Sequence, residues 1–193
     1  GHNRYSTAGT SVLKNVQPLV ANFALGTLAI AHNGNLVSAV DLRTSLEEEG
    51  AIFQSSSDSE VVVHLIAHSK GDDFYERIAH TVNQITGSFS LLILREKEMI
   101  AIRDPYGVRP LSLGMKDGAY VVASETCAFD LIGATYIRDI EPGEILIINE
   151  QGLQSLRVLN STRKAFCVFE FIYFARPDSN IFGGLNVNEM RKD

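Results

Sequence analysis

The chain has 193 residues, of which 45% are hydrophobic and 21% are charged, an ordinary composition for a globular domain. Its 17 basic and 23 acidic residues give a formal net charge of −6. Nucleic acids and anionic membranes attract basic surfaces, so neither is expected as a partner. The two cysteines have no paired spacing, and no signal peptide or bilayer-spanning apolar run is recognised, which predicts a cytoplasmic protein without a disulfide framework.

The first half of the chain has mainly helical patterns. An apolar run at residues 23–32 predicts a buried strand, and Asn33-Gly34-Asn35 after it predicts a turn. Three helices follow, at residues 36–49, at residues 61–67 after the capping-box pattern Ser57-Asp58-Ser59-Glu60, and at residues 74–85.

The second half consists of short β-rich runs separated by turn sequences. These runs are residues 89–94, 99–102, 111–114, 120–123, 137–140, 145–148 and 153–158, with one helix predicted at 126–132. Close-set strands joined by tight turns pair antiparallel, because parallel strands need a long crossover. The sequence therefore predicts an α+β fold in which helices cover antiparallel sheet.

Three positions could bind or polarise a substrate. Asn33-Gly34 is more often a hairpin turn, but a glycine N–H beside an asparagine amide can also form an oxyanion hole. Arg4 in a polar segment and Asp58 in the first turn of a helix are ordinarily a solvated charge and a helix-dipole partner. Together they could instead hold the two charged ends of an amino acid.

Neither the cysteines nor the histidines predict a site. Cys127 lies on a predicted short helix and Cys167 in a predicted apolar strand, and both are interpreted as small buried hydrophobic residues. His64 and His68 have i, i+4 spacing but no HExxH pattern and no obvious third ligand, so no metal site is predicted.

Several motifs, in order along nearly the whole chain, resemble those of amidophosphoribosyltransferases. They are GHNRYSTAG at 1–9, AHNGNL at 31–36, SDSE at 57–60, RDPYGVRPL at 103–111, VASET at 122–126, RDIEPGE at 138–144 and YFARPDS at 173–179. The first three occur more loosely in other N-terminal-nucleophile amidotransferases. RDPYGVRPL and YFARPDS are more specific and indicate this family.

The resemblance implies a four-layer α/β/β/α sandwich of the N-terminal-nucleophile hydrolases, with antiparallel sheets and without its first strands. It implies hydrolysis of L-glutamine, with the ammonia passed on to make phosphoribosylamine from phosphoribosyl pyrophosphate in purine biosynthesis. Arg4 would bind the glutamine α-carboxylate and Asp58 its α-ammonium, with Thr7 in the same glutamine-binding loop. The Asn33 side chain and the Gly34 N–H would form the oxyanion hole.

The resemblance also sets expectations about the ends of the chain. The family's nucleophile is an N-terminal cysteine, and the sequence starts at Gly1 within the GHxRYST segment. We therefore expect residues 1–180 to be an N-terminally incomplete glutaminase domain, inactive alone. Residues 181–193 are expected to begin a linker towards an absent phosphoribosyltransferase domain.

Cofactors and assembly are expected from the same resemblance. No cofactor is expected in this chain, and Mg²⁺ would act with the absent phosphoribosyltransferase domain. Cys167 stands where members with an iron–sulfur cluster have one ligand, but members without a cluster can also have cysteine there. A homo-oligomer is expected, since members of the family are usually oligomeric.

Two alternatives remain open from the sequence. The chain could be a non-catalytic paralogue that binds glutamine or a protein partner. It could also be the glutaminase domain of another class II amidotransferase that supplies ammonia to a different acceptor.

Overall fold

The computed structural model describes His2, residues 12–159 and residues 163–192. Within these ranges a 3₁₀ turn at Leu13–Asn15 comes first and a π-helical turn at Glu170–Phe174 comes late. The α-helices are α1 Ala39–Glu48, α2 Asp58–His68, α3 Phe74–Gln84, α4 Cys127–Ile132 and α5 Val187–Met190. None of the helices in these ranges is long and apolar enough to cross a membrane.

The strands occupy most of the second half of the chain. They are β1 Leu19–Phe23, β2 Gly26–Leu36, β3 Gly87–Leu94, β4 Glu98–Arg103, β5 Ser112–Lys116, β6 Ala119–Ala123, β7 Thr135–Asp139, β8 Glu144–Asn149, β9 Gly152–Arg157, β10 Asn180–Ile181 and β11 Leu185–Asn186. Six form one sheet in the order β1-β2-β3-β4-β8-β9, and β6-β5-β7 form a second. All their pairings are antiparallel, as the short turns predicted.

Alternating side chains give the larger sheet two buried faces. On β3, Leu91 and Ile93 belong to the core beneath α1, α2 and α3, whereas Leu92 packs with the second core. That second core joins the two sheets through residues such as Ala101, Leu113 and Leu146. A strand buried on both faces has a continuous apolar sequence, as residues 91–93 do.

A fourth layer covers the outer face of the smaller sheet. Leu113 of β5 points into the core between the sheets, so its neighbour Gly114 faces the other way. There, a Cβ on Gly114 would lie 3.2 Å from the ring of Phe129 in α4. The order of layers is therefore α/β/β/α, which confirms the predicted α+β sandwich with antiparallel sheets.

Two predicted segments around the candidate site were wrong in detail. Asn33-Gly34-Asn35 is not a turn, because β2 continues through Leu36 and pairs with β3 along its whole final stretch. The following helix begins at Ala39 rather than at residue 36. The edge strand β1 was not predicted at all.

The end of the described chain packs onto the π-helical turn. Phe171 and Ala175 share a small buried cluster with Ile181 and Val187. Residues 181–192 are therefore folded against residues 171–175 in this structure. The predicted boundary between a domain and a linker at residue 181 stays a prediction.

Candidate active site

The last residues of β2 carry backbone N–H groups that alternate between two sides of the strand. The Asn35 N–H donates to Ser88 Oγ of β3 at 3.2 Å. In the opposite direction, the His32 N–H donates to Gln17 Oε1 at 2.5 Å and the Leu36 N–H to Asp58 Oδ2 at 3.1 Å. Gly34 lies midway between His32 and Leu36, so its N–H also points away from β3.

No strand in the described ranges lies beside Gly34 on that outer side. The pairing of β1 with β2 begins at Ile30, opposite Leu19, and does not reach the end of β2. Among the described residues, the Gly34 N–H therefore faces a gap in the sheet that is bounded by Gln17 on one side and Asp58 on the other. A backbone donor in such a gap can approach a substrate carbonyl without an intervening side chain.

Only glycine fits at position 34. Its φ of +153° lies in a region that L side chains rarely adopt. A Cβ there would overlap the Ser88 carbonyl oxygen and would lie 2.7 Å from His32 Nε2. Since one obstacle is backbone, no change of rotamer could relieve the overlap.

Asn33 places its side chain on the other face of the sheet from His32. In the sheet, Asn33 is paired with Ser90 of β3, and Ser90 is paired with Arg103 of β4. The Asn33 side chain is half-buried, and no described residue makes a hydrogen bond to its amide. Its amide N–H₂ is the side-chain donor next in sequence to the Gly34 N–H.

Asp58 connects the start of α2 with the end of β2. Its carboxylate is only 8% exposed, and Oδ1 lies 3.5 Å from His32 Nδ1 while Oδ2 accepts the Leu36 N–H. Burial by itself raises the pKa of Asp58, but the hydrogen bond and charge of His32 and the N–H groups of Leu36 and Ser59 outweigh it. The pKa therefore lies below its usual value, which keeps the carboxylate ionised at neutral pH.

The loop before α2 is held by two polar side chains. The Asn15 amide exchanges two hydrogen bonds with Ser56, at 2.8 and 2.9 Å. The Glu60 carboxylate accepts the N–H groups of Gln54 and Ser55, at 2.8 and 2.7 Å. The capping-box prediction was therefore wrong about Glu60, whose carboxylate binds the loop instead of the backbone of the helix cap.

The N-cap itself forms as the sequence predicted. Ser57 Oγ accepts the Ser59 N–H at 3.3 Å, in the first turn of α2. This cap places Asp58 at the first helical position, where the partial positive charge of the helix end favours a carboxylate. The cap and the loop together fix the direction in which Asp58 faces β2.

A family model described as "Glutamine amidotransferase domain" matches residues 2–130. The chain belongs to this family. It is 52% identical over 194 aligned residues to an amidophosphoribosyltransferase of Bacillus subtilis, covering 100% of the chain and 40% of that protein. It is 50% identical to chloroplastic amidophosphoribosyltransferase 1 of Arabidopsis thaliana, covering 95% of the chain and 32% of that protein.

A solved structure agrees with this. The glutamine phosphoribosylpyrophosphate amidotransferase from B. subtilis, complexed with ADP and GMP, matches with a TM-score of 0.93 and 50% identity. The match covers 99% of the chain and 41% of that structure. The resemblance to amidophosphoribosyltransferases is thereby confirmed, and the chain spans about two fifths of the length of these bacterial relatives.

Of the five site residues that the sequence proposed, Asn33 and Gly34 lie side by side on β2, and Asp58 contacts the end of the same strand through the Leu36 N–H. Arg4 and Thr7 lie outside the described residues, so their roles stay predictions. The structure adds His32 and Gln17, which the sequence did not predict as site residues. The signal for His32 was its position: it is the last inward-facing residue of an apolar strand before Asn33-Gly34.

The two cysteines lie in different settings from each other. Cys127 is buried, with Sγ 3.7 Å from Glu125 Oε2, and burial raises the pKa of its thiol. Cys167 is half-buried and lies in an irregular segment rather than the predicted strand, with Sγ 3.9 Å from Arg109 Nη1. The interpretation of Cys167 as a buried strand residue was therefore wrong.

The two histidines with i, i+4 spacing on α2 have separate contacts in the amidotransferase domain. His64 lies against the Phe53 ring, and His68 Nε2 contacts Glu49 Oε2 at 2.7 Å. The described part of the chain contains no group of three or more His, Cys, Asp or Glu side chains that could hold a metal ion. Cys167 by itself does not make a cluster site, so the iron–sulfur cluster that the sequence left undetermined stays undetermined.

Proposed function

We propose that this chain is the glutamine-hydrolysing part of an amidophosphoribosyltransferase. It would bind L-glutamine and stabilise the oxyanion that forms when the side-chain amide is hydrolysed. The ammonia released would then be used to make phosphoribosylamine from phosphoribosyl pyrophosphate. The observation that carries the proposal is the outward-facing N–H of Gly34, in a gap of the sheet next to the ionised Asp58.

Asp58 is suited to bind the α-ammonium group of glutamine. Oδ2 is committed to the Leu36 N–H, whereas Oδ1 faces His32 and Ser59 and retains acceptor capacity. A buried carboxylate that is ionised at neutral pH is a strong partner for a cation that enters the gap. Arg4, with Thr7, would bind the α-carboxylate at the other end of the zwitterion, as the family resemblance implies.

Asn33 and Gly34 supply the donors for the reacting end of the substrate. Attack on the glutamine amide turns its carbonyl oxygen into an oxyanion, and donors already in place stabilise that charge. The Gly34 N–H is fixed by the β2–β3 pairing, so it needs no rearrangement as the charge develops. The adjacent Asn33 amide is the second donor.

The acceptor reaction belongs to the same proposal. The relatives that match this chain are named amidophosphoribosyltransferases, which supports phosphoribosyl pyrophosphate as the final acceptor of ammonia. Mg²⁺ and the phosphoribosyltransferase active site would be supplied outside these residues. Assembly into a homo-oligomer and a cytoplasmic location are further expectations from the resemblance.

The experiment compares two nitrogen sources in the full-length gene product. Asn33→Ala should lower the glutamine-dependent formation of phosphoribosylamine by about 10²- to 10³-fold, the usual effect of removing one oxyanion donor. Formation from added ammonia should not change, because ammonia bypasses glutamine hydrolysis. Asn83→Ala, at an exposed position of α3, is the matched control.

Two outcomes would contradict the proposal. If Asn33→Ala uses glutamine as well as the wild type does, Asn33 is not an oxyanion donor. Wild-type protein that hydrolyses glutamine but transfers no ammonia to phosphoribosyl pyrophosphate would exclude this acceptor and favour another amidotransferase.

A further inference from the structure

His32 lies where β2, the strand that carries Asn33 and Gly34, meets the start of α2. Its side chain is buried beneath β2, with Nε2 3.4 Å from the Ser88 carbonyl oxygen of β3. Nδ1 lies 3.4 Å from Ser59 Oγ and 3.5 Å from Asp58 Oδ1, both on α2. The imidazole therefore bridges the strand that pairs with Gly34 and the helix that carries Asp58.

The two nitrogens of His32 face different kinds of group. A carbonyl oxygen can only accept, so Nε2 carries the proton that is donated to Ser88. In the neutral ring Nδ1 is then an acceptor, and the Ser59 hydroxyl is the neighbour that can donate to it. In this state Asp58 Oδ1 receives no hydrogen bond from His32; the hydrogen bond and charge by which His32 lowers the pKa of Asp58 belong to the protonated ring.

A second proton on His32 changes these contacts. The imidazolium donates from both nitrogens, and Asp58 Oδ1 is then the acceptor within reach of Nδ1. Of the described residues, Asp58 is the ionisable group in contact with the ring; the other contacts are Ser59 on α2 and the Ser88 carbonyl on β3. The protonated ring would thus occupy Oδ1 and place a positive charge beside it.

We propose that His32 is a positioning residue that holds Asp58 and the Gly34 strand in register, and that its protonation withdraws Asp58 from glutamine. This inference rests on the proposed function, because it assumes that Asp58 binds the substrate ammonium. A cation close to Oδ1 competes with that ammonium for the same oxygen and repels it. Glutamine affinity should therefore fall as His32 takes up a proton, while Asp58 itself stays ionised.

Two amide substitutions separate the functions of the two ring nitrogens. The amide of His32→Asn overlays Nδ1 and can keep the contact with Ser59 and Asp58. The amide of His32→Gln overlays Nε2 and can keep the hydrogen bond to the Ser88 carbonyl. Neither amide titrates, so both variants remove the proposed charge change.

The test measures kcat and KM for glutamine in the full-length gene product at a series of pH values from about pH 8 to about pH 5. In the wild type, KM should rise as the pH falls. His32→Gln should raise KM at pH 8 by about five- to tenfold, the effect of losing the hydrogen bond between the Ser59 hydroxyl and Nδ1 that ties α2 to the ring, with kcat changed by less than about threefold. His32→Asn should keep KM within about threefold of wild type, because a local hydrogen bond is conserved.

In both variants KM should no longer increase at acidic pH. His80→Gln, which replaces an exposed histidine of α3, is the control and should keep the increase. Calorimetric binding of L-glutamate gives the same comparison without turnover. A wild-type KM and pH profile in His32→Gln would overturn the proposal, as would equal loss of glutamine- and ammonia-dependent activity in both variants. If Asn33→Ala leaves glutamine use intact, the proposed function itself has failed, and that result is independent of the His32 profile.

Discussion

The backbone N–H of Leu36, the last residue of β2, donates to Asp58 Oδ2 at the start of α2 across 3.1 Å. This bond joins two elements that are 22 residues apart in sequence and ties the substrate-binding candidate to the strand that carries Gly34. Asp58 therefore stabilises the fold at the same place where it is proposed to bind glutamine. Substitutions at Asp58 have to separate these two contributions.

Asp58→Asn separates them because the amide keeps the shape of the side chain and one oxygen acceptor for the Leu36 N–H. It removes the charge that would bind the glutamine ammonium. We expect KM for glutamine to rise by about 10- to 100-fold, as expected for a lost charge-assisted hydrogen bond. Ammonia-dependent activity should be retained, and urea unfolding should show a loss of about 1 kcal/mol.

Asp73→Asn is the matched control for this charge removal. Asp73 caps α3 through the Glu76 N–H at 2.8 Å, and asparagine is an equally good cap. It should have wild-type KM and stability. An unchanged KM in Asp58→Asn, with a clear loss of stability, would mean that Asp58 has only a structural role.

Gly34→Ala tests the close approach of β2 to β3. The added Cβ meets the Ser88 carbonyl oxygen and His32 Nε2, so the strands must separate. We expect a loss of more than about 2 kcal/mol in the free energy of unfolding, the size of overpacking at a buried site. Glutamine-dependent turnover should be lost with it, because the N–H at position 34 would move.

Gly118→Ala is the control for backbone conformation alone. Gly118 also has positive φ, +81°, but no atom lies within 4 Å of its added Cβ. It should cost only about 1 kcal/mol of unfolding free energy, the strain of a left-handed alanine. If both variants lose equal stability, the contact with Ser88 contributes nothing.

The sequence predicted the strands and helices well where local pattern determines them. The strands of the second half are separated by Pro and Gly turns, and their apolar residues lie in short runs that the sheets bury. The prediction failed at Asn33-Gly34-Asn35, because a hairpin signal is local whereas the extension of β2 is imposed by pairing with β3. Tertiary pairing overrode the turn propensity.

The candidate site shows the same division. Asn33, Gly34 and Asp58 were proposed because motif resemblance marks individual positions. The contacts of His32 with Ser88 and Asp58 join segments 56 and 26 positions away, and no periodicity reports them. Gln17 was missed for the same reason, since its partner is the backbone of His32.

Arg103→Lys tests the buried guanidinium at the start of the RDPYGVRPL segment. Arg103 donates to the carbonyl oxygens of Arg109, Ile140 and Gly107, at 2.9, 2.6 and 3.1 Å. A lysine ammonium cannot reproduce the planar geometry of three such bonds. We expect urea unfolding to show a loss of about 2 kcal/mol from the acceptors left unpaired.

Arg157→Lys, at an exposed position in β9, is the control for Arg103→Lys and should leave stability within about 0.5 kcal/mol of wild type. Equal stability of the two variants would show that the fold around Arg103 does not depend on its contacts with the carbonyl oxygens of Gly107, Arg109 and Ile140.

Glu144→Gln tests a carboxylate that links β8 to its neighbours. The side chain of Glu144 is 2% exposed and accepts hydrogen bonds from Arg138 at 2.7 and 2.8 Å. The Glu141 N–H at 2.7 Å and Ser155 Oγ at 2.8 Å are its further donors. Burial alone raises the pKa of Glu144, but these hydrogen bonds and the charge of Arg138 outweigh it and lower the pKa.

A carboxyl group whose pKa is lower in the folded state stabilises the fold above its unfolded pKa, and this contribution disappears as the pH falls through the folded value. We therefore expect Glu144→Gln to lower the free energy of unfolding by about 2 kcal/mol at neutral pH. The difference from wild type should shrink below about pH 4, where the wild-type carboxyl also becomes neutral. Urea unfolding of both proteins at a series of pH values from neutral down to about pH 4 measures this difference.

Glu141→Gln is the control. The wild-type Glu141 carboxylate is 45% exposed and pairs with Lys164, so this variant should lose far less unfolding free energy. A Glu144→Gln deficit that stays constant down to acid pH would show that packing, rather than the ionised carboxylate, accounts for the loss.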